Sequence, residues 1–490
     1  MKLGRLIENL DSEGVYNFQN LEIAGLTHDS RRVKPGYMFV AIEGHKTDGH
    51  YFIEKSLEQG TAAIVSEKIY SPHTRIPQII VRNSRRALSH LSCCFYENPS
   101  QKINVTGITG TNGKTTTAFL TKSIIESEGY DTGLIGTISY QIGKKKLPAQ
   151  ETTPESVELQ RIISEMVASR LKFVVMEVSS HSLVQHRVED INFKVAVFTN
   201  ISPEHLDYHK TITNYIEAKI KLFQGLKSSS FAVLNADDEQ SGCFADNTKA
   251  QILWFGIEKS ADIEARICHE TMETTVVQLT YAGTKAEIFI PLIGLHNVYN
   301  VLASASAAIA LGFDLKAVKK GIEAVPVIPG RLENVPCKKG FTVFIDFAHT
   351  PHALEVVLCT LKKLTSGRLI LVFGCGGDRD RNKRAEMGRI ADLNSDIFWI
   401  TNDNPRSENP EKIIDDIQAG IRPGRTFHVQ QDRQRAIQAA ISEAEISDIV
   451  LVAGKGHEKC QILKDRVIPF DDKDVIKTII SGDESGNIYG

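Results

Sequence analysis

A glycine-rich stretch that ends in a lysine lies near residue 110. Gly107, Gly110 and Gly113 recur at three-residue spacing, and Lys114 and Thr115 follow directly. Glycines allow successive main-chain N–H groups to curl round an anion. A lysine at this position can reach the outer phosphates, and a threonine hydroxyl can meet Mg²⁺. The pattern therefore predicts a site for a nucleoside triphosphate.

The residues on either side predict the elements that position this loop. Residues 105–109 are mostly apolar and predict a strand, whereas residues 115–128 predict a helix with one apolar face. A helix that begins at the loop adds the positive end of its dipole where phosphate would bind. A glycine-rich turn of no special purpose is the alternative, but the closing Gly-Lys-Thr argues against it. Because ATPases, transporters and switches share such loops, the loop alone does not name a function.

Composition restricts the classes that the chain can belong to. A length of 490 residues predicts two to four domains. The net charge of -3 and the lack of a basic stripe predict no nucleic-acid partner. The eight cysteines show no metal or redox spacing, which is typical of a reducing cytosol, so we expect a cytoplasmic protein. The sequence shows no signal peptide and no run of 18 apolar residues, so we expect no membrane span.

The chain divides into three predicted parts, each with its own short apolar strands. These parts are residues 1–98, 99–332 and 333–490. In the second and third parts the apolar runs end in polar or glycine-rich tips, as buried parallel strands do when ligand residues lie at their carboxyl ends. We predict an α/β protein in which a central parallel-sheet ATPase domain is flanked by an N-terminal α/β domain and a C-terminal Rossmann-like domain.

Four polar residues in the central part are candidates for metal chemistry. Glu177 ends a predicted strand, where a carboxylate can hold Mg²⁺ beside phosphates or simply cap a helix. His205 and His209 stand four residues apart and could form a zinc pair. The sequence shows no HExxH pattern and no obvious third ligand, which argues against zinc. Lys219 lies in an amphipathic helix, and composition alone predicts an ordinary surface lysine there.

Eight motifs occur in order along most of the chain: TGTNGKTT, EVSSHSL, HLDYH, YIEAKIKLF, GLHNVYN, GRLE, DFAHTP and GKGHE. Together they resemble the Mur ligase family of peptidoglycan synthesis, which supports cell shape and division. The resemblance implies that ATP phosphorylates the D-Glu side-chain carboxylate of UDP-MurNAc-L-Ala-D-Glu. The amine of a diamino acid then attacks the acyl phosphate, so the protein mainly positions groups and neutralises charge. It further implies a monomer whose third domain closes onto the central one.

The resemblance also implies which residues carry the chemistry. Lys114 contacts the phosphates, while Thr115, Glu177 and His205 belong to the magnesium sites. Lys219 matches the lysine that carbon dioxide converts to a carbamate, which would bind near a second Mg²⁺. The implied ATP contacts are Gly110, Thr111, Asn112, Gly113, Lys114, Thr115, Thr116, Asn297, Arg331, Asp346 and His349. Phe347 departs from the tyrosine that is usual in this motif.

A second ligand set follows from the same resemblance. The implied contacts of the UDP-MurNAc-dipeptide are His28, Ser30, His45, Lys46, Thr47, Thr152, Thr153, Ser179, Gln185 and Arg187. Taken without the resemblance, these residues read as caps and surface polar groups.

Arg406, in the stretch TNDNPRSENP, decides which amino acid we expect to be added. The preceding Asp-Asn-Pro alone is an ordinary turn. A guanidinium can bind a carboxylate through two parallel hydrogen bonds, and meso-diaminopimelate carries a distal carboxylate that L-lysine lacks. Family members that add diaminopimelate carry DNPR here. The implied contacts of this amino acid are Arg379, Asp403, Asn404, Pro405, Arg406, Gly454 and Glu458, with Glu458 suited to the distal ammonium.

Two alternatives stay open. A nucleotide-driven switch or transporter would carry a guanine-reading NKxD stretch or an ABC-type signature, and the sequence shows neither. The other alternative is a relative within the ligase superfamily, either the lysine-adding homologue or an enzyme similar to folylpolyglutamate synthetase.

Overall fold

Three sheets form the frame of the molecule. The computed structural model describes residues 1–44, 47–71, 74–325 and 327–482. Within these residues the sheets contain five, eleven and six strands, and a two-stranded hairpin lies apart from them. The prediction of an α/β protein is therefore confirmed, whereas the boundaries after residues 98 and 332 stay a prediction.

The first sheet has the strand order β1-β5-β4-β3-β2. Its strands run parallel except β1, which pairs antiparallel with β5 at one edge. The elements of this part are α1 (Leu3–Ile7), β1 (Ser12–Tyr16), β2 (Gly25–Thr27), β3 (Tyr37–Val40), α2 (Ile53–Glu58), β4 (Ala63–Ser66), β5 (Gln78–Val81) and α3 (Ser84–Phe95).

The central sheet has the order β16-β15-β14-β13-β12-β11-β6-β10-β7-β8-β9. Its elements are β6 (Asn104–Thr109), α4 (Lys114–Ser127), β7 (Thr132–Ile135), β8 (Ser139–Ile142), β9 (Lys145–Pro148), α5 (Ser156–Ala168), β10 (Phe173–Glu177), α6 (Ser180–Val184), β11 (Phe193–Phe198), α7 (Leu206–His209), α8 (Ile212–Gln224), β12 (Phe231–Asn235), α9 (Ser241–Ala245), β13 (Gln251–Gly256), β14 (Ile263–Glu270), β15 (Thr275–Tyr281), β16 (Thr284–Ile290), α10 (Leu295–Ala310) and α11 (Leu315–Glu323). The strands from β14 to β7 are parallel, as predicted, but both edges continue as antiparallel strands that the sequence analysis did not foresee.

The third sheet has the order β17-β18-β22-β19-β20-β21, and only β17 runs antiparallel to its neighbour. Its elements, with the hairpin β23–β24, are β17 (Glu333–Val335), β18 (Thr342–Asp346), α12 (Pro351–Leu364), β19 (Leu369–Phe373), α13 (Asn382–Asn394), β20 (Ile397–Ile400), α14 (Pro410–Gln418), β21 (His428–Val429), α15 (Arg433–Glu443), β22 (Ile449–Ala453), β23 (Cys460–Ile462), β24 (Val467–Pro469) and α16 (Asp472–Ser481).

Both faces of the central sheet are buried, as the strand β11 shows. Val195 and Val197 pack into the apolar cluster beside α4 and α10, while Ala196 and Phe198 pack into the cluster on the opposite face. Successive side chains of a strand point to opposite faces, so a strand covered on both sides must be apolar throughout. This burial leaves the carboxyl ends of the strands as the place where polar side chains of the central sheet gather.

Local capping fixes where several helices begin. The Thr350 hydroxyl accepts from the N–H of Ala353 at the start of α12, and Pro351 occupies the first helical position. The Thr211 hydroxyl caps α8 through the N–H of Asn214 at 3.1 Å. No helix within the described ranges has both the length and the apolar character needed to cross a bilayer.

Candidate active site

The glycine-rich loop joins β6 to α4, as the sequence predicts. Gly113 immediately precedes the helix with a φ of 86°, and Gly110 has a φ of 149°. A side chain would be strained at either φ, and a Cβ atom on Gly110 would also collide with the hydroxyl of Thr199. The loop therefore requires glycine at both positions. It presents the N-terminus of a 14-residue helix to a cavity of about 900 Å³.

Residues from the end of β11 hold this loop. The Thr199 hydroxyl donates to the Asn112 carbonyl oxygen at 2.6 Å. The Asn200 side chain accepts from the Asn112 N–H at 3.0 Å and donates to the Asn112 carbonyl oxygen at 3.1 Å. Thr199 and Asn200 could not be predicted from the sequence, because only the parallel pairing of β11 with β6 brings them beside the loop.

Thr115 and Glu177 meet although 62 positions separate them. The Thr115 hydroxyl donates to one carboxylate oxygen of Glu177 at 2.9 Å. Glu177 also accepts from the N–H of Thr137 at 2.9 Å, and its side chain is 1% exposed. Arg331 donates to the Thr115 oxygen at 3.1 Å. Hydroxyl and carboxylate oxygens are the ligands that Mg²⁺ prefers, so the buried oxygens of Thr115 and Glu177 suit that ion.

Lys219 is buried, so the interpretation of Lys219 as a surface residue is wrong. Only 1% of the residue is exposed, because the face of α8 that carries Tyr215 and Lys219 packs under the glycine-rich loop. Its Nζ donates to the Gly110 carbonyl oxygen at 2.9 Å and lies 4.5 Å from the centre of the Tyr215 ring. Burial, together with the nearby charge of Lys114, lowers the pKa of Lys219 well below its ordinary value. The arrangement therefore favours an uncharged, nucleophilic amine.

Glu204 is a further acidic residue at this site, and the sequence analysis did not single it out. Its carboxylate lies 3.8 Å from Nε2 of His205 and 3.8 Å from Nε2 of His349. Burial would raise the pKa of Glu204, but the neighbouring His205, His349 and Lys114 side chains hold it below its ordinary value. The one signal in the sequence was that Glu204 immediately precedes the motif HLDYH. Glu204 thus links the central sheet to the third one.

The histidines of this region do not form a zinc cluster. His205 immediately precedes α7, and His209 ends it, with its Nε2 2.9 Å from the Ser180 hydroxyl. The described part of the chain holds no group of three histidine, cysteine or acidic side chains arranged to bind a metal ion. Burial lowers the pKa of His205, which favours the neutral imidazole that can serve as a ligand.

The predicted ATP residues from the second half of the chain border the same cavity. Asp346 accepts from the N–H groups of Leu332 and Ala348, each at 2.7 Å, so both of its oxygens already hold the local main chain. The ring centre of Phe347 lies 4.8 Å from the Arg331 guanidinium. Asn297 donates to the Ile293 carbonyl oxygen at 2.8 Å.

Arg406 lines the same cavity. Its Nη1 donates to the Gly377 carbonyl oxygen at 2.7 Å. Burial, and then the positive charge of Arg379, lowers the pKa of Arg406. Glu458, which was matched to a ligand ammonium, accepts from Lys455 Nζ at 2.9 Å and from the Asn404 side chain at 2.8 Å. The two guanidinium groups favour an anionic group between them, although the carboxylates of Asp403, Glu458 and Asp378 also act on Arg406.

Most predicted ligand residues line one cavity of about 900 Å³. It is bordered by Thr111, Asn112, Gly113, Lys114, Thr115, Thr116, Thr152, Glu177, Ser179, His205, Lys219, Asn297, Arg331, Asp346, His349, Arg379, Asp403, Asn404, Arg406, Gly454 and Glu458. Two predicted residues, Gly110 and Pro405, do not border this cavity, although their chain neighbours Thr111, Asn404 and Arg406 do. The structure thus brings the glycine-rich loop and the predicted amino-acid residues into one space.

The residues assigned to the nucleotide sugar are more dispersed. Gln185 lines a separate cavity of about 390 Å³ between the first and central sheets, together with Gly44, Glu67, Arg85 and Tyr208. Among the described residues assigned to the UDP-MurNAc-dipeptide, those that border neither cavity are His28, Ser30, Thr47, Thr153 and Arg187. His45 and Lys46 lie outside the described residues.

Two of these dispersed residues are held by polar neighbours. Arg187 pairs with Glu155 at 2.9 Å and also with Glu151. The Thr153 hydroxyl donates to the Glu177 carbonyl oxygen at 2.8 Å, which ties it to the end of β10.

Comparison with known proteins shows three family models matching in succession. They are the Mur ligase family, catalytic domain, at residues 22–96, the Mur ligase middle domain at residues 108–308 and the Mur ligase, glutamate ligase domain at residues 330–456.

Curated relatives match along nearly the whole chain. The chain is 41% identical over 485 residues to UDP-N-acetylmuramoyl-L-alanyl-D-glutamate--2,6-diaminopimelate ligase of Caldanaerobacter subterraneus subsp. tengcongensis, with 99% of this chain and 100% of the relative covered. It is 44% identical over 483 residues to an enzyme of the same name from Bacillus velezensis, with 97% and 98% covered.

Solved structures agree with these relatives. A structure titled with the same enzyme name is 31% identical, has a TM-score of 0.68 and covers 99% of this chain and 100% of its own. Folylpolyglutamate synthase from Mycobacterium tuberculosis, solved with ADP and AMPPCP, is 20% identical with a TM-score of 0.62 and covers 75% of this chain and 92% of its own. The second likeness is one of fold alone.

Proposed function

The chain belongs to the Mur ligase family, and we propose that it is an ATP-dependent ligase that joins meso-diaminopimelate to UDP-MurNAc-L-Ala-D-Glu. One observation carries this proposal beyond family membership. The glycine-rich loop and the cationic pocket of Arg406 and Arg379 open into the same cavity. A ligase needs both, because the activated carboxylate and the incoming amine must meet within one enclosed space.

In the reaction that we propose, the D-Glu side-chain carboxylate attacks the γ-phosphorus of ATP, and ADP leaves. The amine of diaminopimelate then attacks the acyl carbon of the resulting acyl phosphate. The bond to phosphate breaks, inorganic phosphate leaves and the attacking nitrogen loses a proton. Phosphorylation turns a poor electrophile into one with a good leaving group, so the protein has to align the partners and neutralise charge.

Lys114 and the loop N–H groups are suited to the charge on the phosphates. In this structure Lys114 Nζ donates to the carbonyl oxygens of Gly110 at 2.9 Å and Thr111 at 2.8 Å. These bonds would be exchanged for phosphate oxygens when ATP binds. Asn297, Arg331, Asp346 and His349 stay predicted nucleotide contacts, as do the remaining loop residues.

Thr115 and Glu177 would hold one Mg²⁺, and His205 and Lys219 would serve a second. Mg²⁺ would neutralise negative charge on the phosphoryl group during its transfer. We propose that Lys219 reacts with carbon dioxide, because burial and the charge of Lys114 lower the pKa of its amine and so favour the uncharged form. The amine nitrogen forms a bond to carbon and releases a proton, which leaves an anionic carbamate in place of the neutral amine.

The distal end of diaminopimelate fits the pocket that contains Arg406. Its carboxylate would lie between two guanidinium groups, and lysine would leave those groups without an anion. Asp403, Asn404, Pro405, Gly454 and Glu458 complete the proposed amino-acid site.

The UDP-MurNAc-dipeptide would extend towards the first sheet. We keep His28, Ser30, His45, Lys46 and Thr47 as its proposed nucleotide-sugar contacts. Thr152, Thr153, Ser179, Gln185 and Arg187 are the proposed contacts of its dipeptide end. We further propose that the enzyme works in the cytoplasm as a monomer, where ATP and the soluble nucleotide-linked substrate are available.

Phosphate release tests the proposal directly. The purified chain is given ATP, Mg²⁺ and UDP-MurNAc-L-Ala-D-Glu with either meso-diaminopimelate or L-lysine at equal concentration. We expect release that requires the dipeptide and is much faster with diaminopimelate. Preference for lysine would identify the lysine-adding homologue and leave the ligase assignment intact. Release with a folate and glutamate, but not with the UDP-dipeptide, would overturn the proposal.

A further inference from the structure

A cysteine, a histidine and an aspartate lie in a row where the first part of the chain meets the central sheet. His90 and Cys94 are four residues apart on α3, so they lie on one face of the helix. Nε2 of His90 lies 3.6 Å from Sγ of Cys94, and Nδ1 lies 3.4 Å from Oδ1 of Asp190. Asp190 comes from the segment before β11, 100 residues further along the chain. None of the three borders either cavity described above.

The imidazole of His90 is held as a cation. Its hydrogen bonds to Asp190, and then to Cys94, raise the pKa of His90 to about 10 against the effect of burial. A protonated imidazole has an N–H on both nitrogens, so Nε2 donates towards the Cys94 sulfur and Nδ1 donates to Asp190. The other charged groups nearby, Arg86 and Glu189, already pair with each other at 2.6 Å. His90 therefore presents one N–H to the Cys94 sulfur while Asp190 holds its other nitrogen.

We propose that Cys94 is a peroxide-reactive thiol, activated by His90 and Asp190, and that it is oxidised in preference to the other cysteines of the chain. A thiolate, not a thiol, is the nucleophile in such reactions, and an adjacent imidazolium stabilises it. The Cys94 sulfur forms a bond to one oxygen of hydrogen peroxide while the O–O bond breaks. The hydroxide that leaves takes the proton from His90, which yields a sulfenic acid, a neutral imidazole and water.

The neighbouring Cys93 shows why the proposal concerns one sulfur. Cys93 is 6% exposed, and its Sγ donates to the Asn98 side-chain oxygen at 3.2 Å. Burial raises the pKa of Cys93 to about 12, so it stays a thiol. Cys94 is partly exposed and can be reached from solvent.

Three other cysteines provide controls within the same molecule. Cys243, Cys268 and Cys359 are all more exposed than Cys94. The Cys359 sulfur contacts a side-chain amide oxygen of Asn394 at 3.5 Å, and that partner cannot stabilise a thiolate. If exposure alone governed oxidation, these three would react first.

The experiment treats the whole protein with hydrogen peroxide at pH 7 in the presence of dimedone, which traps sulfenic acids. Mass spectrometry follows each cysteine with time, and fragment ions separate Cys93 from Cys94. We expect Cys94 to be labelled at least about tenfold faster than Cys359. His90→Gln keeps a hydrogen-bonding side chain without the charge, so labelling of Cys94 should fall to about the rate of Cys359. Asp190→Asn should lower it partly.

Thermal unfolding of each variant shows whether it is folded. Should His90→Gln fail to fold, the comparison of Cys94 with Cys359 in the unmodified chain and the Asp190→Asn variant decide the question. Labelling of Cys94 no faster than that of Cys359 would overturn the proposal. So would undiminished labelling in a folded His90→Gln protein, because exposure and not the imidazolium would then explain it.

Discussion

Lys114 and Lys219 donate to the same main-chain oxygen, that of Gly110, each at 2.9 Å. Two ammonium groups that share one acceptor repel each other, and Lys219 is buried while Lys114 is partly exposed. The burial, together with this repulsion, lowers the pKa of Lys219 far more than an isolated helix position would. An uncharged amine is the form that reacts with carbon dioxide. The pairing of these two lysines is thus the structural reason for expecting a carbamate at Lys219.

Replacing Lys219 with alanine should remove most turnover while the protein still folds and binds ATP. The reason is the loss of an anionic oxygen ligand at the phosphoryl-transfer site. Short carboxylates added to the assay should restore part of the rate, and ATP binding is measured separately by calorimetry. Lys221→Ala alters an exposed lysine on the same helix and serves as the control. Turnover of Lys219→Ala equal to that of the unmodified enzyme would refute the carbamate.

Replacing Lys114 with alanine should lower kcat more than it raises the KM for ATP. Lys114 would act on charge that develops during phosphoryl transfer, and loss of one such preorganised group costs about 2.7–4 kcal/mol, or about 10²–10³ in rate. Steady-state phosphate release at saturating ATP measures the effect. The matched control is Lys122→Ala, which alters a lysine on α4 that pairs with Glu126 at 2.6 Å. An unchanged kcat would contradict the assignment of the loop to phosphoryl transfer.

Replacing Arg406 with alanine should raise the KM for diaminopimelate sharply and leave the values for ATP and the UDP-dipeptide nearly unchanged. Loss of a two-bond contact between a guanidinium and a carboxylate costs about 1.5–3 kcal/mol, or about 10–150-fold. Arg406→Lys should recover only part of it, because an ammonium cannot form the two parallel bonds. Arg466, exposed between β23 and β24, provides the control variant Arg466→Ala. Equal increases in all three KM values would argue for a general distortion instead.

Phe347 supports the Arg331 guanidinium through its ring, whose centre lies 4.8 Å away. Phe347→Leu removes the aromatic face, which is worth about 0.5–2 kcal/mol to a nearby cation, so the KM for ATP should rise about 2–30-fold. Phe347→Tyr restores the residue usual in the family and keeps the ring, and its KM should stay within about twofold of the original. A Phe347→Leu enzyme with the original KM would show that the ring does not position Arg331 for ATP.

His209 should make the folded state sensitive to acid. Burial, with repulsion from His205, lowers the pKa of His209 from 6.5 to about 4. Between these pH values the unfolded chain binds a proton at this position that the folded chain does not. The free energy of unfolding should therefore fall as the pH drops from 6.5 to 4, with His209 contributing at most about 1.4 kcal/mol per pH unit.

Urea unfolding at pH 7 and pH 5 measures this contribution. His209→Gln should lose less stability between the two pH values than the original protein. Some loss will remain, because burial also lowers the pKa of His28 and His181 to about 4. The exposed His269 gives the control variant His269→Gln, which should behave like the original. Identical losses in His209→Gln and the original would disprove the role of this residue.

The sequence by itself determined the features that local chemistry dictates. The glycines, the lysine and the threonine from Gly107 to Thr115 predicted a phosphate-binding loop, and the apolar run at residues 105–109 predicted the strand that precedes it. The carboxyl ends of parallel strands meet at one edge of a sheet, so the strand pattern made Glu177 a candidate for Mg²⁺ beside the phosphates, with a helix cap as the alternative. The spacing of His90 and Cys94 on one helix is likewise local. The motifs in their order identified the family and, through Arg406, the expected substrate.

Tertiary structure alone decided what depends on contacts between distant segments. The apolar spacing of α8 shows that one face is buried, but not that Lys219 on this face would lie under the loop beside Lys114. Glu204 gains its importance only when the third sheet brings Nε2 of His349 to 3.8 Å from the Glu204 carboxylate. Asp190 reaches His90 across 100 residues. Burial and neighbouring charge set the reactivity of such groups, and both arise only when the chain packs together.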